Sequence, residues 1–189
     1  MLTSEKIATA ARQLLDKEGE EAVTMRRVAT AVGITPMAVY RHYPDRTGLL
    51  NALADQGFEE LSARLAGRLP NDFEKRLNKV LNLNLDFALE HPRLFELMFL
   101  KPRKGSRQYP RDFKAGKSPT ANIIAELIQQ GMDTGYFRQD DLWEIVLEIG
   151  ALLQGLVMLY LGGRIAISPP QFRSLCHRSF RRYFDGIRK

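Results

Sequence analysis

Hydroxyl, guanidinium and imidazole side chains gather in one short stretch that begins at Thr35. These groups are hydrogen-bond donors and cations, which suits the binding of phosphates and base edges rather than covalent catalysis. The sequence shows no Ser or Cys nucleophile beside a His, no Gly-rich phosphate loop and no paired carboxylates in a plausible cleft. The lone Cys176 and three widely separated histidines fit no metal-ligand spacing. The sequence therefore favours a binding protein over an enzyme, and it predicts neither a metal nor a cofactor.

The charge of the chain is concentrated in two segments. Lys and Arg number 28 against 22 Asp and Glu, and 44% of the 189 residues are apolar, too many for a disordered chain. Residues 101–117 and residues 164–189 are strongly basic, and the first of these, broken by Gly and Pro, predicts an exposed loop. No uninterrupted apolar run reaches the roughly 18 residues of a membrane span, and the N-terminus lacks a secretory-signal layout. We therefore expect a cytoplasmic protein with no membrane partner.

Helical periodicity covers most of the chain and strand signals are nearly absent, which predicts an all-α fold. Thr24 is placed to cap a short second helix that Gly33 ends. Thr35-Pro36 opens a very short third helix that ends before Pro44, and a Leu-rich fourth helix follows from about residue 46. Further helix-like segments are predicted at about 72–90, 93–100, 118–135, 140–163 and 169–187.

The second and third helices, joined by a Gly-containing turn, make a helix-turn-helix, a unit whose second helix enters the major groove of DNA. Val28, Ala29 and Val39 are spaced to pack the two helices together. Taken singly, the arginines here would be solvated charges, and Tyr40 and Tyr43 would be core aromatics with exposed hydroxyls. Their grouping around one short helix favours a DNA-binding surface.

The run from Val23 to Leu50 resembles the DNA-binding domain of the TetR family of transcriptional regulators. The shared pattern is a helix-opening Thr, an apolar-Ala pair, a Gly followed by an apolar residue, a Tyr-x-His-aromatic run and a basic residue before a Leu-rich helix. These features are here Thr24, Val28-Ala29, Gly33-Ile34, Tyr40 to Tyr43, Arg46 and Leu49-Leu50. The resemblance implies an N-terminal three-helix helix-turn-helix DNA-binding domain and a larger C-terminal helical ligand-binding and dimerisation domain.

The resemblance also implies a set of DNA-contacting residues. Those at the start of the second helix are expected to meet phosphates, and those on the third helix to reach base edges, with Arg41 suited to guanine. Tyr40, Tyr43 and Arg46 are expected to hold the sugar-phosphate backbone. The complete set is Thr24, Arg26, Arg27, Thr35, Pro36, Met37, Tyr40, Arg41, His42, Tyr43 and Arg46.

The C-terminal part contains more apolar residues than DNA binding alone requires. Any one of these residues is most simply explained as core, but the resemblance favours a pocket for a small apolar or aromatic effector between the helices. The candidate lining residues are Phe87, Met98, Phe99, Ile124, Ile128, Met132, Trp143, Leu147, Gln154 and Met158.

The last two predicted helices are expected to form a homodimer interface. Residues 145–163 are apolar around most of the helix circumference, which favours a four-helix bundle built by two subunits. The alternative is that this segment is the central buried helix of a monomer. The candidate interface residues are Ala151, Gly155, Leu159, Phe172, Cys176, Ser179, Phe180 and Tyr183.

These observations predict two domains, 1–48 and 68–189, connected by a helix from about 46 to 67. The expected function is a ligand-responsive transcriptional repressor that binds a pseudo-palindromic DNA operator as a dimer and is released by an effector. One alternative is a helical small-molecule-binding or carrier protein without specific DNA readout. A second is a helical lyase or hydrolase that uses Glu148 and Tyr160.

Overall fold

The computed structural model describes residues 3–103 and 105–189, so Lys104 of the predicted basic loop lies outside the described residues. The described secondary structure is helical, apart from one isolated β-bridge between Phe137 and Arg188. The helices are α1 (Thr3–Glu18), α2 (Met25–Val32), α3 (Pro36–Tyr40), α4 (Arg46–Leu65), α5 (Phe73–Glu90), α6 (Pro92–Phe99), α7 (Arg111–Lys114), α8 (Pro119–Asp133), α9 (Leu142–Leu161) and α10 (Pro169–Ile187), with a 3₁₀ turn at Glu20–Ala22. The predicted all-α fold is confirmed.

The chain packs as two compact units. The first unit is Met1–Glu60 with Leu89–Gly105, and the second is Leu61–Ala88 with Ser106–Lys189. These bounds differ from the predicted domains because α6 packs with the N-terminal helices. The Arg93 guanidinium donates to the carbonyl of Asp16 (3.1 Å) at the end of α1. Gly57 of α4 lies so close to Met98 that a Cβ there would overlap the thioether.

Side-chain caps and one glycine set the geometry of the first unit. The Thr24 hydroxyl accepts the backbone N–H of Arg27 (3.2 Å) at the start of α2. The Thr35 hydroxyl accepts the backbone N–H of Ala38 (3.3 Å) at the start of α3. Gly33 ends α2 with φ 76° and ψ 34°, a left-handed conformation that favours glycine. The predicted starts of both helices and the end of α2 at Gly33 are confirmed, whereas α3 ends at Tyr40, earlier than predicted.

The second unit has an apolar core contributed by its longer helices. Its most deeply buried residues include Leu85, Phe87, Ile128, Phe137, Val157, Phe172 and Cys176. A Cβ at Gly131 would overlap the rings of Phe73 and Phe137, so α8 comes very close to these two aromatic side chains. This unit is therefore tightly packed where α8 ends.

The basic segment 101–117 is not a plain exposed loop as predicted, because it contains α7. Asp112 is only 6% exposed and accepts hydrogen bonds from the Arg111 guanidinium (2.8 Å) and the backbone N–H of Gln108 (2.8 Å). The Arg111 hydrogen bond, followed by that of Gln108, holds the pKa of the Asp112 carboxyl well below its usual range. The buried Asp112 carboxylate thus holds together, through these hydrogen bonds, a segment whose other charged residues are cations.

Candidate functional site

The turn between α2 and α3 determines which face of α3 is open to solvent. After Gly33, the backbone N–H of Ile34 donates to the carbonyl of Ala29 (3.0 Å), which turns the chain sharply. Val39 then faces inward and is completely buried, while Ile34 is half-buried. Because one face of α3 is fixed against α2 in this way, the opposite face is held outward.

The outward face of α3 carries Pro36, Met37, Tyr40 and Arg41. The Met37 side chain is 66% exposed and Tyr40 is 46% exposed, unusually open for residues of this size. His42, immediately after, is exposed as well. The structure therefore brings the predicted base-contacting residues together on one open surface, and their contact with DNA stays a prediction.

The predicted cations divide into two classes. Arg26 and Arg41 are exposed, and their guanidinium groups have no hydrogen bond or ion pair in the described part of the chain. The Arg27 guanidinium instead donates two hydrogen bonds to the Glu18 carboxylate (2.6 and 3.0 Å). The hydrogen bond from Arg27 lowers the pKa of Glu18, and the Glu18 carboxylate raises the pKa of Arg27. Only the first class is free to meet a phosphate without breaking an existing pair.

The Arg46 guanidinium has hydrogen-bond partners within its own chain. Its Nε donates to the carbonyl of Val23 (2.8 Å) and its Nη2 to the carbonyl of Glu20 (2.7 Å). The guanidinium therefore joins the start of α4 to the 3₁₀ turn that precedes α2. These hydrogen bonds make Arg46 a residue that positions the helix-turn-helix, and its predicted contact with phosphate stays a prediction.

The remaining predicted DNA-contacting residues lie before or after α3 in the chain. The Thr24 and Thr35 hydroxyl oxygens are used as helix caps, although both residues remain at least partly exposed. Tyr43 is half-buried, and burial raises the pKa of its hydroxyl. The interior position of its ring supports the alternative of a core aromatic with an exposed hydroxyl. Tyr40, by contrast, projects into solvent.

The predicted effector-lining residues differ widely in burial, and their role in binding an effector stays a prediction. Phe87, Ile128 and Met132 are buried core residues, whereas Leu147 and Met158 are exposed. Ile124 and Gln154 are half-buried, and Met98 and Phe99 belong to the first unit, not the second. The apolar pattern of a single helix does not distinguish core from cavity wall, which is why the prediction combined both.

A groove of about 510 Å³ lies between α8 and α9 in the second unit. Of the predicted lining residues it includes Trp143, whose half-buried ring also contacts the ring of Phe113. Its other lining residues are mostly polar, namely Asn122, Ala125, Glu126, Gln129, Gln130, Asp133 and Leu142. No group of three or more potential metal ligands occurs within residues 3–103 and 105–189.

The predicted dimer residues fall on two different faces. Phe172, Cys176 and Phe180 point into the core of their own chain, so the prediction that they form an interface is wrong. The Phe172 ring stacks on Tyr160 with centroids 4.0 Å apart. Burial raises the pKa of the Cys176 thiol to about 11. The sequence shows one apolar side on α10, but it does not show whether the same chain or a partner covers that side.

The remaining interface candidates include an exposed apolar face of α9. Ala151 and Leu159 are exposed on this helix, beside the half-buried Gly155. A Cβ at Gly155 would meet nothing within 4 Å. On α10, Ser179 is half-buried, and the hydroxyl of Tyr183 donates to Glu148 (2.6 Å). Burial, and then this hydrogen bond, raise the pKa of Tyr183.

α9 is also long and apolar enough, by length and composition alone, to cross a membrane. The sequence predicted no such segment because Glu144 and Glu148 interrupt the apolar run. Only 22% of the most apolar window of this helix is buried within the chain. Much of its apolar surface is therefore left without a partner in a single copy.

Two family models match the chain. The model of bacterial regulatory proteins of the tetR family matches residues 7–53, and that of the tetracyclin repressor-like C-terminal domain matches residues 77–183. Nucleoid occlusion factor SlmA of Pasteurella multocida is 30% identical over 112 residues, which are 54% of this chain and 56% of that protein. SlmA of Pectobacterium carotovorum is 32% identical over 97 residues, which are 50% of this chain and 49% of that protein. The chain thus spans about half the length of the curated relatives it matches.

Solved structures share the fold across nearly the whole chain. A Rhodococcus sp. RHA1 protein of unknown function has a TM-score of 0.81 at 22% identity and covers 100% of this chain and 97% of its own. The fatty acid degradation regulator FadR of Bacillus halodurans has a TM-score of 0.74 at 17% identity, with 94% of each chain covered. A minocycline complex of a TetR variant from Acinetobacter baumannii has a TM-score of 0.70 at 17% identity, covering 98% of this chain and 96% of that one.

Proposed function

The chain belongs to the TetR family of bacterial regulatory proteins, and on that premise we propose that it is a ligand-responsive, DNA-binding transcriptional repressor. In this proposal a homodimer places two α3 helices in successive major grooves of a pseudo-palindromic operator, about 34–36 Å apart. A small apolar or aromatic effector releases it, and the protein works in the cytoplasm without a cofactor. The family and fold are those of DNA-binding regulators, which are not enzymes.

The outward face of α3 is the observation that carries this proposal. Met37 and Tyr40 are exposed there, although folding favours burial of such large side chains. Arg26 and Arg41 stand beside them with unpaired guanidinium groups in the described structure. Exposed cations next to exposed apolar side chains match the two requirements of a specific DNA reader, which are phosphate contact and base contact.

The exposed face of α9 supports a second copy of this chain as its partner. Leu147, Met158 and Leu159 form an apolar surface around the small Gly155, where another helix can approach closely. On α10, the exposed Arg178 and Arg182 have no ion pair among residues 3–103 and 105–189. A second copy supplies both the matching apolar surface and, through the exposed carboxylate of Glu144, opposite charge for these arginines.

An effector would act on this arrangement by shifting a conformational equilibrium. A ligand that binds more tightly when the two α3 helices are wrongly spaced lowers the affinity for the operator. Bound operator lowers the affinity for the ligand by the same factor. The minocycline complex of the Acinetobacter relative supports a small molecule as the effector class. An apolar or aromatic ligand is proposed because the second unit is rich in aromatic side chains.

Sequencing the DNA that the purified full-length chain retains from a random duplex library tests the proposal. We expect the retained duplexes to share a pseudo-palindrome. Arg41→Ala should relax the preference at one base position per half-site, at a cost of about 1–3 kcal/mol. Arg68→Ala, which removes an exposed arginine of the second unit, is the matched control and should change nothing. Retention that is indifferent to Arg41→Ala and Tyr40→Phe would favour the carrier-protein alternative.

A further inference from the structure

The exposed face of α3 changes its chemistry along the helix. At its start, the side chains of Pro36 and Met37 have no N–H or O–H group. The hydroxyl oxygen of the preceding Thr35 already accepts a backbone hydrogen bond as the helix cap. At the other end, Tyr40 and Arg41 carry the hydrogen-bond donors of this face. Apart from the Thr35 hydroxyl, which keeps its O–H donor, the first half of this surface is therefore apolar and the other half is polar.

This division restricts what the first half of α3 can recognise. The C5-methyl group of thymine is the apolar feature that distinguishes base pairs in the major groove, where the other differences are hydrogen-bond donors and acceptors. Pro36 and Met37 cannot pair with those donors and acceptors, except for weak acceptance by the Met sulfur. Met37 is 66% exposed in the free chain, so contact with a methyl group covers its apolar surface without disturbing the core.

We propose that Pro36 and Met37 read a C5-methyl group in each half-site, beside a guanine read by Arg41. This inference rests on the proposed function and specifies the chemistry of its operator. Met37 and Arg41 are four residues apart, about 6 Å along a helix, which corresponds to about two base-pair steps. Each half-site therefore carries the methylated pyrimidine within about two base pairs of the guanine.

The same chemistry makes 5-methylcytosine an acceptable replacement for thymine. The two pyrimidines differ at position 4, where thymine has a carbonyl acceptor and cytosine an amino donor. An apolar contact from Pro36 or Met37 does not distinguish these groups, and it responds to the methyl group that both bases carry. Operator binding by this chain therefore depends on cytosine methylation wherever methylcytosine replaces the thymine.

Three random duplex libraries test the proposal with the full-length chain. The first contains the four standard bases, the second has uracil in place of thymine, and the third has uracil together with 5-methylcytosine. We expect a fixed thymine per half-site from the first library and no preference at that position from the second. In the third, 5-methylcytosine should be selected at that position. Uracil at both half-sites of one selected duplex should weaken binding about fifteenfold, or about fourfold per methyl group.

Variants of the exposed residues separate the methyl contact from a change in DNA shape. Met37→Ala should lose the difference between thymine and uracil while keeping the preference for guanine, whereas Met37→Leu should keep both. Arg41→Ala should show the reverse, with loss of the guanine preference alone. Circular dichroism should show the same helix content for all three variants, because both positions are exposed.

Two results would overturn the inference, and they differ in what else they reject. Equal affinity for thymine and uracil duplexes, or a difference that persists unchanged in Met37→Ala, rejects the methyl contact and leaves the proposed function standing. If the chain retains no duplexes from all three libraries, the proposed function is rejected, and the inference with it.

Discussion

The outward faces of α3 and α9 both expose apolar side chains, but they differ in extent and setting. On the short α3, Met37 and Tyr40 stand as separate exposed side chains among unpaired cations. On the 20-residue α9, Leu147, Met158 and Leu159 belong to a helix whose most apolar window is only 22% buried. The first surface is small and cationic, and the second is longer and apolar except at the exposed Glu144 and Glu148.

This difference indicates two kinds of partner. Isolated exposed side chains cost little in water and suit a partner that binds and leaves, such as DNA. A larger apolar face is unfavourable in water and is typical of a surface that is covered for the lifetime of the protein. We therefore expect changes on α9 to act through assembly, and changes around α3 to act on DNA binding directly.

Met158→Glu should give the largest effect, because it places a charge in the apolar face of α9. The side chain is 50% exposed in the single chain, so the monomer should still fold. Analytical ultracentrifugation should show monomers where the parent chain is dimeric. Operator affinity should fall by about two to four orders of magnitude, since two linked reading heads become one.

Arg68→Glu reverses the charge of an exposed residue outside this face and is the control for Met158→Glu. It should leave the dimer intact. A Met158→Glu protein that remains dimeric and binds the operator normally would show that α9 is not the interface.

Arg46→Ala should have the next largest effect, on the free energy of unfolding of the first unit. The substitution removes the hydrogen bonds to the carbonyls of Val23 and Glu20, and bonds from a charged donor contribute about 1.5–3 kcal/mol each. Urea unfolding followed by circular dichroism should show the loss, and Arg41→Ala should not. Unchanged stability with uniformly weaker DNA binding would restore the phosphate contact first predicted for Arg46.

The sequence predicted local features well because they depend on near neighbours. The caps at Thr24 and Thr35 and the left-handed Gly33 each act within four residues, and all three are confirmed. It did not predict that Glu18 pairs with Arg27 or that Arg46 reaches back to the 3₁₀ turn, because those contacts depend on how helices meet. The acidic residues preceding α2 were the signal that could have suggested both pairings.

The same limit explains the errors in the second unit. Phe172 and Leu159 both lie in apolar helical patterns, yet one is buried and the other exposed. Periodicity shows that a helix has an apolar side but does not show whether its own chain or another copy covers that side. The sequence did not predict the short helix α7 for a related reason. Asp112 stabilises this segment through hydrogen bonds that depend on its burial, and burial is not visible in the sequence.

Gly155→Ala should have a smaller effect than Met158→Glu and would separate folding from assembly. In the single chain the added Cβ meets nothing within 4 Å, and alanine favours a helix over glycine by about 1 kcal/mol. The monomer should therefore become slightly more stable, while the dimer dissociates more readily because two helices can no longer approach as closely. Sedimentation across a dilution series measures the second effect, and a tighter dimer would contradict close approach at this residue.

Glu18→Gln should give the smallest effect and tests the division between free and paired cations. The Arg27 hydrogen bond lowers the pKa of Glu18, so the carboxylate that pairs with Arg27 is ionised at neutral pH. Releasing Arg27 should make the plot of log affinity against log salt steeper by about one phosphate contact. Glu59→Gln removes the same charge from an exposed position on α4 and should leave that slope unchanged. If both variants steepen the slope equally, net charge rather than the freed Arg27 is responsible, and the two classes of arginine are not functionally distinct.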